Sequence, residues 1–339
     1  MAWQRSLGLA AIGVIAIAGA AQALDVAEVG SFHIGGREVV LQGLPPQDVV
    51  FSAGSPPVKV DPNGEFAVEQ MYAQYVKLTN PKARFPLLLV HGGGLSGVTY
   101  ETKPDGKPGW QSFFLNAGHD VYVSDAVERG RASWARYPEV YKTEPLFRPK
   151  REAWELFRIG PAGSYTKRQT FEGSQFPIEA FDQFAKQGVP RWVSNDAPTI
   201  AAYEIYFRKV CPCVVLAHSQ GGNLVITAAL KVPELIKGMI LVETSGAPDP
   251  TKVDLSAFKT VPHLFVWGDH RQDFPFWVTV TANIAKYRDG VANAGAAVEW
   301  VELPEHGIKG NTHMMMMDRN SDQIAQLIQD WFGKHGLMR

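Results

Sequence analysis

The chain has 339 residues, 45% of them hydrophobic and 20% charged, with a formal net charge of -1. That length supports one large domain or two smaller ones, with a core big enough to need no disulfide staple. The balanced charge, with no basic block, argues against nucleic acid or an anionic membrane surface as a partner.

Arg5 precedes an apolar run from Leu7 to Ala21, and Ala21-Gln22-Ala23 follows as a small-x-small site. The run is shorter than the ~18–20 apolar residues that span a bilayer. It is expected to be a signal peptide (residues 1–23) cut after Ala23, which places the mature domain (residues 24–339) in a periplasm or the medium. Ser31 to Gln42 alternates around Gly35-Gly36 and predicts an N-terminal β-hairpin. Phe66 to Leu78 predicts a strand, and Leu87 to Val90 one buried on both faces. A helix is expected over Trp110 to Ala117 and a strand over Asp120 to Ser124, with a loop from Asp125 to Ser133.

Residues 134 to about 194 break this rhythm. They hold twelve aromatic residues, out of 9 Trp, 10 Tyr and 18 Phe in the chain. The segment is expected to be a cap insertion, with a packed excursion that only buries its own aromatics as the alternative. Strands then alternate with helices again. The helices are Pro198 to Lys209, Gly221 to Lys231, Phe276 to Asn293 and Asp322 to Phe332. The strands are Cys213 to Ala217, Gly238 to Val242, His263 to Trp267 and Val298 to Leu303. The pattern predicts an α/β fold with a mostly parallel, doubly wound sheet. Cys211 and Cys213 flank Pro212. A ring that small would be strained, which favours two buried thiols over a bridge.

Ser219 lies between the strand ending at Ala217 and the helix opening at Gly221. This strand–turn–helix setting is the one a nucleophile elbow requires: small flanking residues permit a sharp turn that exposes the hydroxyl. Ala217 stands where the usual pattern has Gly. The turn also frees the backbone N–H of Gln220 at a helix start, as one donor of an oxyanion hole. His91-Gly92-Gly93-Gly94 follows an earlier buried strand and suits the second donor, with Gly93 the first choice and Gly94 the second. Of two histidines after the last strand, His313 is favoured over His306 as the base, because its longer loop can carry it back over Ser219. The acid stays open between Glu243, one strand earlier, and Asp269 or Asp273.

With these residues in place, the chain resembles exported bacterial esterases of the α/β-hydrolase superfamily that use a Ser-Glu-His triad. The matching segments are His91-Gly92 with Leu95-Ser96-Gly97, Tyr100-Glu101-Thr102 with Pro104-Asp105-Gly106, and Arg129-Gly130-Arg131-Ala132-Ser133. His218-Ser219-Gln220-Gly221-Gly222 and Val242-Glu243 also match, and the most specific block is Gly310-Asn311-Thr312-His313-Met314-Met315-Met316 with Asp318-Arg319-Asn320. The resemblance covers most of the mature chain. It implies Ser219, Glu243 and His313 as the triad, and Gly93 with Gln220 as the oxyanion hole. Some relatives carry adjacent cysteines where this chain has Gly93 and Gly94. The expected activity is hydrolysis of carboxylic esters, small or polymeric, with apolar or aromatic groups, and without metal or organic cofactor. An amidase, lactonase or polyester hydrolase would use the same residues, and a non-catalytic binding protein is the rival of another class. A homodimer is compatible with the chain. Met314 to Met317 are expected either to line an apolar pocket or to pack in the core.

Overall fold

The computed structural model describes residues 23–339, and the expected leader, Ala23 apart, lies outside them. The chain opens with strand β1 (Val26–Leu41), the short strands β2 (Gln47–Val49) and β3 (Val58–Val60), and β4 (Gly64–Leu78). Then come β5 (Leu87–Val90), helices α1 (Val98–Glu101) and α2 (Trp110–Ala117), and β6 (Val121–Asp125). A long excursion carries only short helices, among them α3 (Lys150–Leu156) and α4 (Phe181–Phe184). Regular alternation returns with α5 (Asp196–Val210), β7 (Cys213–His218), α6 (Gln220–Ala229), β8 (Ile236–Val242) and β9 (His263–Trp267). The chain ends with α7 (Pro275–Asn293), β10 (Val298–Glu302) and α8 (Ser321–Lys334).

Eight strands form one sheet in the order β1-β4-β6-β5-β7-β8-β9-β10. From β6 to β10 every neighbour is parallel, while β4 runs against both β1 and β6. All four residues of β5 and all six of β7 are buried, as parallel strands covered on both faces require. Successive residues alternate between two cores. Leu88, Val90, Val215 and Ala217 meet Tyr203 and Phe207 of α5, Val225 of α6 and Ile284 of α7. Leu87, Leu89, Val214 and Leu216 meet Trp110 and Phe114 of α2 and Ile324 and Phe332 of α8. The strand–helix alternation therefore gives the doubly wound sheet that it predicts.

Two expectations change. No hairpin forms within Ser31 to Gln42: β1 is one strand, paired with β4 from Val26↔Leu78 to Leu41↔Gly64. Gly35 and Gly36 have φ of 72° and 85°, yet the pairing with β4 runs on through them in register. They lie where β1 passes α5, and a Cβ on Gly35 would stand 2.9 Å from that of Ala202. Cys211 and Cys213 are bridged, not free thiols. Their Cα atoms lie 4.3 Å apart, so the sulfurs meet across Pro212. Of the two places expected for Met314 to Met317, they take the second: all four are fully buried in the α2–α8 core.

Candidate active site

The parallel strands all deliver their carboxyl ends to one edge of the sheet, where ligands bind in folds of this type. At the end of β7, Ser219 adopts φ 53° and ψ -123°, a conformation strained for a residue with a Cβ. The turn is held from both sides. The Ser219 N–H donates to Val242 O at 3.1 Å, and its carbonyl accepts from Gly222 N at 3.0 Å and Ser245 N at 3.1 Å. Only glycine fits at the two positions after Gln220: a Cβ on Gly221 would stand 2.5 Å from His91 O, and one on Gly222 would collide with Thr244.

Glu243 follows β8 directly, also at positive φ, and is completely buried. Its Oε2 lies 3.2 Å from His313 Nδ1. Its Oε1 accepts from Gly268 N and from Arg158 Nη2, each at 2.6 Å. Burial works against ionisation of this carboxyl, but the Arg158 charge and the His313 contact outweigh it and hold the group well below the usual carboxylate range. Asp269 instead accepts from the Gly310 N–H, and Asp273 sits at the surface beside His270. His306 is exposed at the end of a short turn.

His313 is wedged between rings. Phe157 stacks on it with centroids 5.3 Å apart, and Trp277 lies at 4.4 Å. Its backbone N–H donates to Phe157 O at 2.9 Å, and its carbonyl accepts from His218 Nε2 at 2.9 Å. Burial lowers the His313 pKa, Glu243 pulls it back up, and Arg158 lowers it further; the result is below the ordinary histidine value. The ring is thus neutral near pH 7, the form that can take a proton. His218, next to Ser219 in sequence, serves the backbone of the His313 loop. Burial drives its pKa well below the ordinary value.

The glycine loop after β5 is fixed by His91. The Ala126 N–H donates to His91 Nε2 at 3.0 Å, so Nδ1 carries the proton and donates to Gly92 O at 2.8 Å. Burial lowers this ring to about 4. The Gly93 N–H has no acceptor among the described residues, and the Gln220 N–H opens α6 and has no intrahelical partner. Ser219, Gln220, His313, Trp277, Arg148 and Arg191 line a cavity of 90 Å³. A second cavity of 180 Å³ shares Gly93, Arg148, Leu156, Phe157 and Arg191 with it. The excursion between β6 and α5 supplies much of both walls. It is tied to the glycine loop through Val189 N and Gly94 O at 2.9 Å, and to the His313 loop through Phe157. Part of its aromatic content only packs internally: Trp154, Phe176 and Phe181 join the α2–α8 core, and Tyr141 stacks on Trp192.

The solved atomic-resolution structure of a novel bacterial esterase is 33% identical to this chain, over 93% of this chain and 98% of its own, with a TM-score of 0.81. The chain belongs to the esterases of the α/β-hydrolase fold. A fungal protein (strain ATCC 74256) named "Probable secreted lipase phiG" is 25% identical, over 80% of this chain and 88% of its own length. No protein-family model matches the chain. The esterase is a carboxylic ester hydrolase, as expected from its sequence. No described helix is long and apolar enough to cross a membrane.

Two residues of the candidate site escape sequence reasoning. Arg158 lies 85 positions from Glu243, in a segment without period, and nothing local marks it. Asp318 stands in the specific block after His313, and that block gives it no role. In the structure it receives Thr312 N at 2.8 Å, Thr312 Oγ1 at 2.9 Å and Asn311 Nδ2 at 3.0 Å, and so ties down the turn that carries His313.

Proposed function

We propose that the esterase works by two-step acyl transfer, with Ser219 as nucleophile, His313 as base and Glu243 as acid. His313 takes the Ser219 proton as Oγ attacks the ester carbonyl. The N–H groups of Gly93 and Gln220, with Gly94 the second choice for the glycine donor, hold the oxyanion. His313 gives that proton to the leaving alcohol. It then takes one from water, whose oxygen attacks the acyl-enzyme and releases the acid, returning the proton to Ser219. Glu243 keeps the Nδ1 proton in place and offsets the charge of the imidazolium. The observation that carries this reading is the meeting, in one small cavity, of a serine at a strained strand–helix turn and a buried neutral His313 whose Nδ1 faces a buried carboxylate.

Residues 134–194 act in this proposal as a cap whose apolar residues, among them Leu156 and Phe157, pack on apolar or aromatic groups of the ester. Export with cleavage after Ala23 belongs to it as well, supported by the leader-like sequence and by a relative named as secreted. Assembly as a homodimer also remains part of it. A fluorophosphonate probe should label the wild-type chain and not Ser219→Ala; equal labelling of both removes Ser219 from the reaction. Glu243→Gln should lose kcat by about ten-thousandfold, by analogy with acid-to-amide changes in serine triads. Asp269→Asn should lose far less, and the reverse ranking in folded variants reassigns the acid.

A further inference from the structure

Hydrolysis of a neutral ester has no need of the positive charge gathered at the Ser219 cavity. Arg191 reaches in from the excursion, and its Nη1 donates to Gln220 Oε1 at 2.5 Å. A Cβ on Gly93 would stand 2.5 Å from the same Nη1, so the guanidinium lies against the glycine loop. Its Nε is buried without a partner. Leu146 and Arg191 exchange two backbone hydrogen bonds, of 2.6 and 3.1 Å, which bring Arg148 to the same wall. Arg148 and Arg191 line both cavities.

Counter-charge is scarce. Among the described residues, no carboxylate oxygen lies within 4.0 Å of an Arg191 nitrogen. Arg148 meets Glu152 at 3.3 Å, but both side chains are more than a third exposed, and such pairs contribute little. Asp196 is near enough to act on Arg191, yet it accepts its hydrogen bond from Gln220 Nε2, at 3.3 Å. Behind this wall stands Arg129, 4% exposed, with Nε and Nη1 unpartnered. Burial and the charge of Arg191 bring its pKa down to about 10. Guanidinium groups kept in partly desolvated places without carboxylates cost stability, and that cost is recovered when an anion binds.

We propose that the esterase selects esters carrying a second, ionised carboxylate, held by Arg191 and Arg148, while Leu156, Phe157 and Phe184 pack on the carbon skeleton. The flat guanidinium fork matches a carboxylate in two parallel hydrogen bonds. The proposal rests on Ser219 being the nucleophile.

The test is the pH-stat rate of the full chain on monoethyl glutarate and ethyl pentanoate, which differ by a terminal carboxylate in place of a methyl. The kcat/KM of the wild-type chain should be at least about tenfold higher for the glutarate ester. That preference should shrink as salt is raised. Arg191→Gln and Arg148→Gln should each lower the ratio about tenfold through KM, and Arg191→Lys should keep part of it. Equal rates on the two esters in the wild-type chain overturn the proposal, and need no variant to fold. A loss in Arg191→Gln that is equal for both esters also overturns it, since it assigns the charge to the oxyanion. Stronger competitive inhibition by inorganic phosphate than by glutarate overturns the choice of a carboxylate. A chain that labels at Ser219 yet shows no preference fails this proposal alone, whereas a chain that does not label fails the triad itself.

Discussion

Arg158 connects the excursion to Glu243 through a buried ion pair. It is fully buried, donates to Glu243 Oε1 and to the Asp269 carbonyl at 2.7 Å, and lies 4.9 Å from the Trp277 ring. Its charge has two effects of the same sign: it holds Glu243 ionised, and it lowers the His313 pKa. Removing it should therefore raise the His313 pKa. The acidic limb of the kcat/KM profile follows the loss of neutral His313, so in Arg158→Met this limb should move to higher pH. Arg158→Lys should restore the position of the limb without the full rate, since lysine keeps the charge and loses the fork. A profile for Arg158→Met that superimposes on wild type would leave Arg158 a purely structural role. Breaking a buried pair on one side costs about 3–5 kcal/mol, so denaturation of the methionine variant should report a loss of that order.

At the scale of elements, the turn from Gly310 to Asn320 decides where His313 stands, and Asp318 is its anchor. Burial pushes this carboxyl up to about 7, against the hydrogen bonds from Asn311 and Thr312. Between the ordinary value of 3.8 and about 7 the folded chain binds more protons here than the unfolded chain. Stability from this group is thus complete below about pH 4 and is lost as pH rises through about 7, a change on the order of 4 kcal/mol. Asp318→Asn mimics the protonated acid: its amide can donate to Thr312 Oγ1 while its oxygen accepts from Thr312 N and Asn311. The lead of the variant over wild type in urea denaturation should widen from pH 5 to pH 8. A lead that does not widen between these pH values would count against a protonated Asp318. Elements of this kind were only partly legible in the sequence. The parallel strands and their helices are readable because burial imposes a period, and β5 and β7 could hardly be anything else. Ser219, His313 and the three competing acids follow from chain order along those elements. Gly35-Gly36 misleads because glycine serves the close approach of a neighbouring element as well as a turn, and only the neighbouring α5 decides between them. Arg158 and Arg191 come from a segment with no period, and their meaning lies in distant partners.

Across the whole molecule, the sheet separates two ends with different duties. Its carboxyl edge carries Ser219, Glu243 and the loops that the excursion grips, and strain collects there at Ser219 and Glu243. The Cys211–Cys213 bridge lies at the opposite end of β7, six residues or about 20 Å of strand from Ser219. A bridge over a sequence separation of two closes almost no loop, so the chain-entropy model gives it about 1–2 kcal/mol. The buried strand around it, hydrogen-bonded to β5 and β8 on both sides, is already held by the sheet. The expectation of free thiols rested on the strain of so small a ring, and the same smallness now limits what the bridge can contribute. Cys211→Ser with Cys213→Ser should therefore lower Tm by less than about 5 °C and leave kcat on a simple ester unchanged, measured by calorimetry and pH-stat. A larger fall in Tm would mean that the bridge organises the start of β7, and a fall in kcat with Tm unchanged would mean that the two ends of the strand are coupled.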